Sequence, residues 1–541
     1  MHITLPGKPI TNNNRALSIL KFILFGLILF VHLRLYVYAF DDAYIHFRVA
    51  RNFVETGFPY YNVGEMLKVS TSSGWVVFLS VLFALAQRLG FEAGFPLVVG
   101  VINAVISCAS VVVYGHLVEQ IAQIKLSTHV KTLFGVGFIA ILLPSSIGLM
   151  ETPMAILLVG LGLGAVLQNR SQGFVFLASA VYFRLELILL VGGVFLWVMF
   201  SKRVSLWTAS RDSLLGILPF ILFDLIFYRT IYPHSVVAKS QIYSLSGAQT
   251  LFYVLFYSLP QTLLPTQWSF AYSVLIGFVM LSMLIIVLWA VFRVRIGQKR
   301  RWPIMFLLWG LGVMVLYAAG RVLIFDWYIP LYVVPLFVAC FLYFVLADAP
   351  ANRLMLFPLG LFAILSVMSI GTTLFAGIWN PSQYLYFESG SRVRNYLLVG
   401  KVLREAYPNA DLMTSEIGGL GYAFTSSILD AVGLASVDAL TYHPLSVPDE
   451  RKNSIIGAIP PAYVVDVSPD IIVTYDTFAQ ALLRGEVLAQ YTEVRVPAYM
   501  VEDRAFARSE LLWENKYLRV FIHHSLSVDE RVKKIGEVVL P

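Results

Sequence analysis

Charge is what this sequence has least of. Asp, Glu, Lys and Arg make up 13% of the 541 residues and hydrophobic side chains 58%, against about 25% and 45–50% in an ordinary soluble domain. With a mean hydropathy of +0.76, this composition excludes a soluble enzyme and points to an integral membrane protein. A net charge of +7 would suggest nucleic acid in a soluble chain. Here the basic residues gather in short loops between apolar runs, where they act as topology signals, and no nucleic-acid partner is expected. Cysteine is nearly missing: Cys108 and Cys340 both lie inside apolar runs, which argues against a disulfide or a thiolate metal site. Walker and Rossmann glycine signatures, an HExxH site and a G-x-S-x-G elbow are also lacking. With no nucleotide pocket in view, the energy for any reaction must arrive with an already activated substrate, and that points to the membrane phase.

What is present is apolar sequence in long runs. Stretches long enough to cross a bilayer, about 20 residues, or nearly so occupy 17–39, 73–89, 94–117, 132–149, 153–168, 173–200, 212–230, 269–292, 303–319, 329–347 and 354–377. The first is long for a signal-peptide core and has no small-x-small site before Asp41, so a retained helix is expected. After Asn380 the character changes to dispersed charge, turn signals and short β-rich runs such as "DIIVTYD" and "KYLRVFIHH". The expected fold is therefore a mainly α polytopic membrane protein of about eleven transmembrane helices (1–379) followed by a soluble α/β domain (380–541). Lys and Arg in the N-terminal segment, 201–211, 293–301 and 347–353 assign those loops to the cytoplasm. Segments 40–72, 231–268, 320–328 and the C-terminal domain then lie outside. Eleven crossings satisfy that parity, whereas splitting 173–200 at "YFRLE" gives twelve and breaks it.

The outer loops hold the candidate chemistry. In "FDDAYIHFRVARNFVETG" (40–57), Ala43, Phe47, Ala50 and Val54 form an apolar stripe and Arg48, Asn52 and Glu55 another face, which predicts an interfacial helix over 42–56. Asp42 at its start suits an N-cap. Asp41 adjoins the C-terminal end of the preceding helix, where negative charge is disfavoured, so capping does not readily account for both acids. The second loop brings His234 and Lys239 in "IYPHSVVAKS", and the third brings Arg321, Asp326 and Tyr328 in "AAGRVLIFDWYIP". Lys and Arg at such boundaries are commonly snorkelling anchors, but facing a shared cavity they would suit an anionic phosphate. Arg48 and Arg51 offer a rival phosphate site, or contacts to lipid headgroups. Glu151, Arg184 and Glu186 stand in strongly apolar surroundings, and residues 184 and 186 do not face each other on a helix.

These segments, together with "STSSGWVVFLSVL", "GLMETPM", "FRLE" and "EIGGLGYAFTSSILDAVGLAS" (416–436), resemble the polytopic glycosyltransferases of the C fold, and within them the mycobacterial terminal arabinofuranosyltransferases and related bacterial proteins. The resemblance covers most of the chain. It implies an enzyme of the bacterial cytoplasmic membrane that moves a sugar from a polyprenyl-phosphate carrier to an extracytoplasmic cell-envelope glycan or glycolipid, with the catalytic carboxylate at Asp41 or Asp42. Two departures bear on the sugar: "MLKVSTSSGW" replaces an acidic-glycine-aromatic continuation after Glu65, and "FRLE" stands where "TRPE" is usual.

On this reading an aspartate acts as general base toward a hydroxyl acceptor, and Lys239, Arg321 or Arg184 stabilises the leaving phosphate. Adjacent carboxylates can hold a divalent ion, but no second compact acidic or histidine cluster accompanies them, and no obligatory metal or other cofactor is expected. The C-terminal domain is expected to bind acceptor. The alternative is a transporter or flippase for an amphipathic glycolipid, with Arg184 and Glu186 in its path; against it, the hydropathy has no persuasive internal repeat.

Overall fold

The first apolar run turns where it meets the aspartates. In the computed structural model, which describes residues 13–201, 204–242, 245–258, 301–346, 349–381, 384, 387–443, 458–497 and 517–539 with residues 277, 281 and 285, α1 (Asn13–Leu35) leads through a short 3-10 turn into α2 (Asp41–Thr56). The two segments are bent by 86°. Extended backbone at Phe40 makes the corner, and Gly57, at φ 81°, ends α2 with its N–H returned to the Phe53 carbonyl, a left-handed cap that favours glycine.

The expected apolar stripe of α2 is real, since Ala43, Phe47 and Ala50 pack with the membrane helices. Its other faces are buried as well: Ile45 and Val49 share a core with Tyr396, Ile417, Leu420 and Phe424 of the C-terminal domain. Each such aliphatic side chain contributes roughly 1.5–3 kcal/mol when fully buried. The helix is enclosed between two bodies of protein, so Arg48 and Asn52, expected on a solvated face, are buried.

The run 73–89, expected as a crossing, forms α3 (Ser73–Arg88), capped where the Ser72 hydroxyl accepts the Trp75 N–H. It packs against α2: Gly74 lies against Phe183, the Ser80 hydroxyl reaches the Ala50 carbonyl at 3.4 Å, and Phe83 meets the same Phe95 ring that Phe47 touches.

The run 173–200 is broken at the point where a split was weighed. Helix Gly173–Phe183 stops at Arg184, whose backbone is extended (φ −147°, ψ 110°), and a 3-10 turn at Leu185–Leu187 precedes helix Ile188–Ser201. Ten of the eleven expected runs contain helix, while 269–292 lies almost wholly outside the described residues. Five described helices are long and apolar enough to cross a membrane, six if the bent pair counts as one span. The chain is thus a multi-pass membrane protein. Its helices approach closely at small residues, as at Gly162 against the Gly173 carbonyl and Leu177.

The described residues of the C-terminal segment form a six-stranded sheet in the order β2-β1-β3-β5-β4-β6, from β1 (Leu412–Thr414), β2 (Ile428–Asp430), β3 (Ile471–Tyr475), β4 (Tyr491–Pro497), β5 (Tyr517–His523) and β6 (Glu537–Val539). The two runs read as β-rich are β3 and β5, paired antiparallel at the centre. Helix Phe387–Ala406 packs Tyr396, Val399 and Leu403 beneath the sheet, into the core that also receives α2.

Candidate active site

Consecutive residues at a helix start point in different directions, and the two aspartates have separate partners. Asp41 accepts the N–H of Gly418 at Oδ2 and of Gly419 at Oδ1, both at 2.8 Å. A side chain at Gly418 would come within 1.9 Å of the Asp41 carbonyl oxygen, so the glycines of "EIGGLG" are there to let the two segments meet. Burial and the neighbouring Glu416 raise the Asp41 pKa to about 7, opposed by the two N–H bonds and assisted by Asp42. Asp41 is a docking residue in this arrangement.

Asp42 is the one left accessible. Its Oδ2 stands 3.4 Å from Lys239 Nζ, with 27% and 19% of the two side chains exposed. The ammonium lies 5.0 Å from the centre of the Phe325 ring. Segments 40–72, 231–268 and 320–328 therefore meet at one ion pair. One helical turn further along α2, His46 faces the same way: its Nδ1 is 3.0 Å from the Ser70 hydroxyl and its Nε2 3.8 Å from Glu151 Oε2. Desolvation lowers the His46 pKa against the pull of Glu151 and Asp42, with Lys239 and Arg184 adding to the fall.

Glu151 and Glu186 are joined by Arg184, which donates to both at 2.8 Å. Tyr317 donates to Glu186 at 2.9 Å, and the Tyr328 ring lies 4.3 Å from the Arg184 guanidinium carbon. The break at "FRLE" thus turns Arg184 onto the start of helix Thr152–Leu167, where Glu151 precedes the first turn. Phosphate binding was expected of Arg184, but two carboxylates and an aromatic face already engage it.

The remaining expected residues fall elsewhere. Arg48 donates to the carbonyls of Tyr61, Gly421 and Ser426 and to Asn62 Oδ1. Arg51 donates to the Tyr422 carbonyl and lies on its ring. Both join α2 to the C-terminal domain. His234 reaches the Gly433 carbonyl at 3.0 Å, Arg321 is exposed in a left-handed conformation after helix Arg301–Ala319, and Asp326 lies near Tyr384.

Three features were not found from sequence. His46 carried a signal, because the i, i+4 spacing from Asp42 puts it on the same face. Lys68, in the departing "MLKVSTSSGW" segment, pairs with Asp224, which also accepts from Ser73; nothing local indicated a partner 156 residues away. Glu416 pairs with Arg392 at 2.9 Å, bringing a carboxylate of the C-terminal domain into the electrostatic surroundings of Asp41. Among the described residues no cluster of three or more metal-ligand side chains occurs.

A helical bundle, a bent first loop that carries an acidic pair and a sheet domain docked over it make up the fold of the described residues. Crystal structures of ArnT from Cupriavidus metallidurans are similar to this chain: the form bound to undecaprenyl phosphate has a TM-score of 0.56 and the apo form 0.57, each at 11% identity over 96% of this chain and 100% of ArnT. A family model described as Domain of unknown function (DUF8728) matches residues 385–519, within the C-terminal domain. No curated protein matches the sequence.

Proposed function

We propose that the protein is a membrane glycosyltransferase that takes a sugar from a polyprenyl-phosphate donor and adds it to a hydroxyl acceptor on the outer side of the membrane. The observation that carries this reading is the Asp42–Lys239 pair, accessible where three loops meet beneath the C-terminal domain, in a fold shared along nearly its whole length with an enzyme crystallised with undecaprenyl phosphate. Asp42 accepts the proton of the acceptor hydroxyl as its oxygen bonds to the anomeric carbon. The bond from that carbon to phosphate breaks, and Lys239 moves from Asp42 toward the phosphate as it gains charge. That exchange also frees Asp42 at the moment it is needed as a base.

Helix Gly173–Phe183 has 11 residues, a rise of about 17 Å. Started at one face of a hydrocarbon layer of about 30 Å, such a helix would end within it at Arg184, a depth that suits a lipid-borne headgroup better than a free sugar nucleotide. The likeness to terminal arabinofuranosyltransferases makes a polyprenyl-phosphate pentofuranose the first donor to assay, and cell-envelope glycans or glycolipids the first acceptors. Orientation with the C-terminal domain outside the cytoplasm follows from the basic loops.

The test is transfer in detergent, where no compartments exist and a transporter gives no product. Wild type should release polyprenyl phosphate, and Asp42→Asn should lower kcat by about 10²–10⁴-fold with an unchanged melting temperature. Equal turnover by both proteins would remove Asp42 from the mechanism.

A further inference from the structure

We propose that His46 and Glu151, oriented by Ser70 and Arg184, form a hydroxyl-recognising subsite that receives the sugar ring of the lipid-linked donor beside Asp42. The inference rests on the transfer reading above and assigns the part of the donor that this corner of the site takes.

The argument begins with a proton inventory. The Glu151 carboxylate that faces His46 Nε2 at 3.8 Å favours the ring proton on that nitrogen, and the Ser70 hydroxyl, which accepts the Ser72 N–H at 3.1 Å, then donates to Nδ1 at 3.0 Å. On the other side, Glu151 Oε1 is engaged by Arg184 at 2.8 Å, while Oε2 has no hydrogen-bond partner among the described residues. The 3.8 Å between Nε2 and Oε2 is too long for a hydrogen bond. His46 is 5% exposed and Glu151 1%.

The Glu151 Oε2 acceptor is therefore buried without a partner among the described residues, and the His46 nitrogen that faces it makes no described hydrogen bond. An oxygen about 2.8 Å from each closes the triangle. That oxygen must accept from Nε2–H and donate to Oε2, which is what a hydroxyl does. A phosphate oxygen cannot donate and is repelled by the carboxylate; an ammonium cannot accept. Burial keeps His46 in the neutral form this requires, with Glu151 and Asp42 opposing and Lys239 and Arg184 supporting that state. The polar lining is thus divided: Asp42 and Lys239 are partly open, and one turn deeper the His46–Glu151 pair is matched to a sugar hydroxyl.

Binding to the full chain in detergent separates sugar from phosphate recognition. His46→Ala should weaken a polyprenyl-phosphate sugar by about 10–100-fold, leave polyprenyl phosphate alone nearly unaffected, and lose discrimination against the donor lacking the corresponding hydroxyl. His46→Gln, whose amide can restore a donor near Nε2, should recover most of the affinity and carries the comparison if the alanine variant melts early. Equal weakening of both lipids, or of neither, overturns the subsite, as does sugar selectivity unchanged in a stable variant. Failure of wild type to bind either lipid would instead overturn the transfer reading itself.

Discussion

Asp41 and Asp42 are separated by about 100° of helical rotation, and that rotation gives one to the C-terminal domain and the other to Lys239. Sequence placed both acids at the end of the first span and noticed that capping did not account for two. It could not divide the roles, because the partner of Asp41 is a pair of backbone N–H groups 377 and 378 residues away, and backbone groups have no signature at that distance. The division has a pH consequence. A carboxyl raised to about 7 by burial and Glu416 favours the folded state fully below its ordinary value near 3.8, and that contribution is lost as pH rises through about 7. Asp430, raised to about 6 by burial against several backbone N–H bonds, acts in the same direction. The melting temperature in detergent should fall between roughly pH 4 and 7, less steeply in Asp41→Asn than in wild type. Parallel profiles for the two proteins would show that Asp41 titrates outside this window.

At the scale of elements, 173–200 reads as one apolar run although Arg184 breaks it. The break was legible as an alternative, since a charged Arg184-Leu185-Glu186 triplet in so apolar a stretch needs partners; that the partner is Glu151 follows only from the packing of the two helices. The turn carrying Glu151 includes Leu149 at φ 61°, a conformation costing a leucine roughly 1–2 kcal/mol. It is held by the Asn103 amide on the Ser146 and Met150 carbonyls and by the Phe40 N–H on Gly148. Arg184 is the keystone of this group, and Arg184→Ala leaves two carboxylates without their cation. Loss of a buried partner costs about 3–5 kcal/mol, so the variant should melt well below wild type, as differential scanning fluorimetry would register. A melting temperature within a degree or two of wild type would mean that the carboxylates find other partners.

Across the whole molecule, the boundary near residue 380 was visible as a change of composition, and the strands "DIIVTYD" and "KYLRVFIHH" were read in place. Independence of the two parts was not supported. Ile45, Val49, Tyr61, Val69 and Val76 of the first half share a core with the sheet domain, Arg48 is closed inside that junction, and Tyr61 donates to the Ile417 carbonyl at 2.6 Å. A chain truncated at residue 380 would expose that apolar surface and leave the Arg48 guanidinium without the Gly421 and Ser426 carbonyls. It should lose polyprenyl-phosphate binding together with acceptor use and elute as aggregate in size-exclusion chromatography, in contrast to a detachable acceptor-binding module, whose removal would spare the carrier site.

The most direct measurement is single-turnover transfer from a radiolabelled polyprenyl-phosphate sugar to a hydroxyl acceptor by purified protein in detergent, run beside Asp42→Asn at matched thermal stability. The account predicts labelled product and freed polyprenyl phosphate from wild type, and from the variant a rate lower by about two to four orders of magnitude. A wild-type protein that binds the lipid-linked sugar yet transfers nothing to any hydroxyl acceptor, or a variant that transfers as fast as wild type, would contradict it.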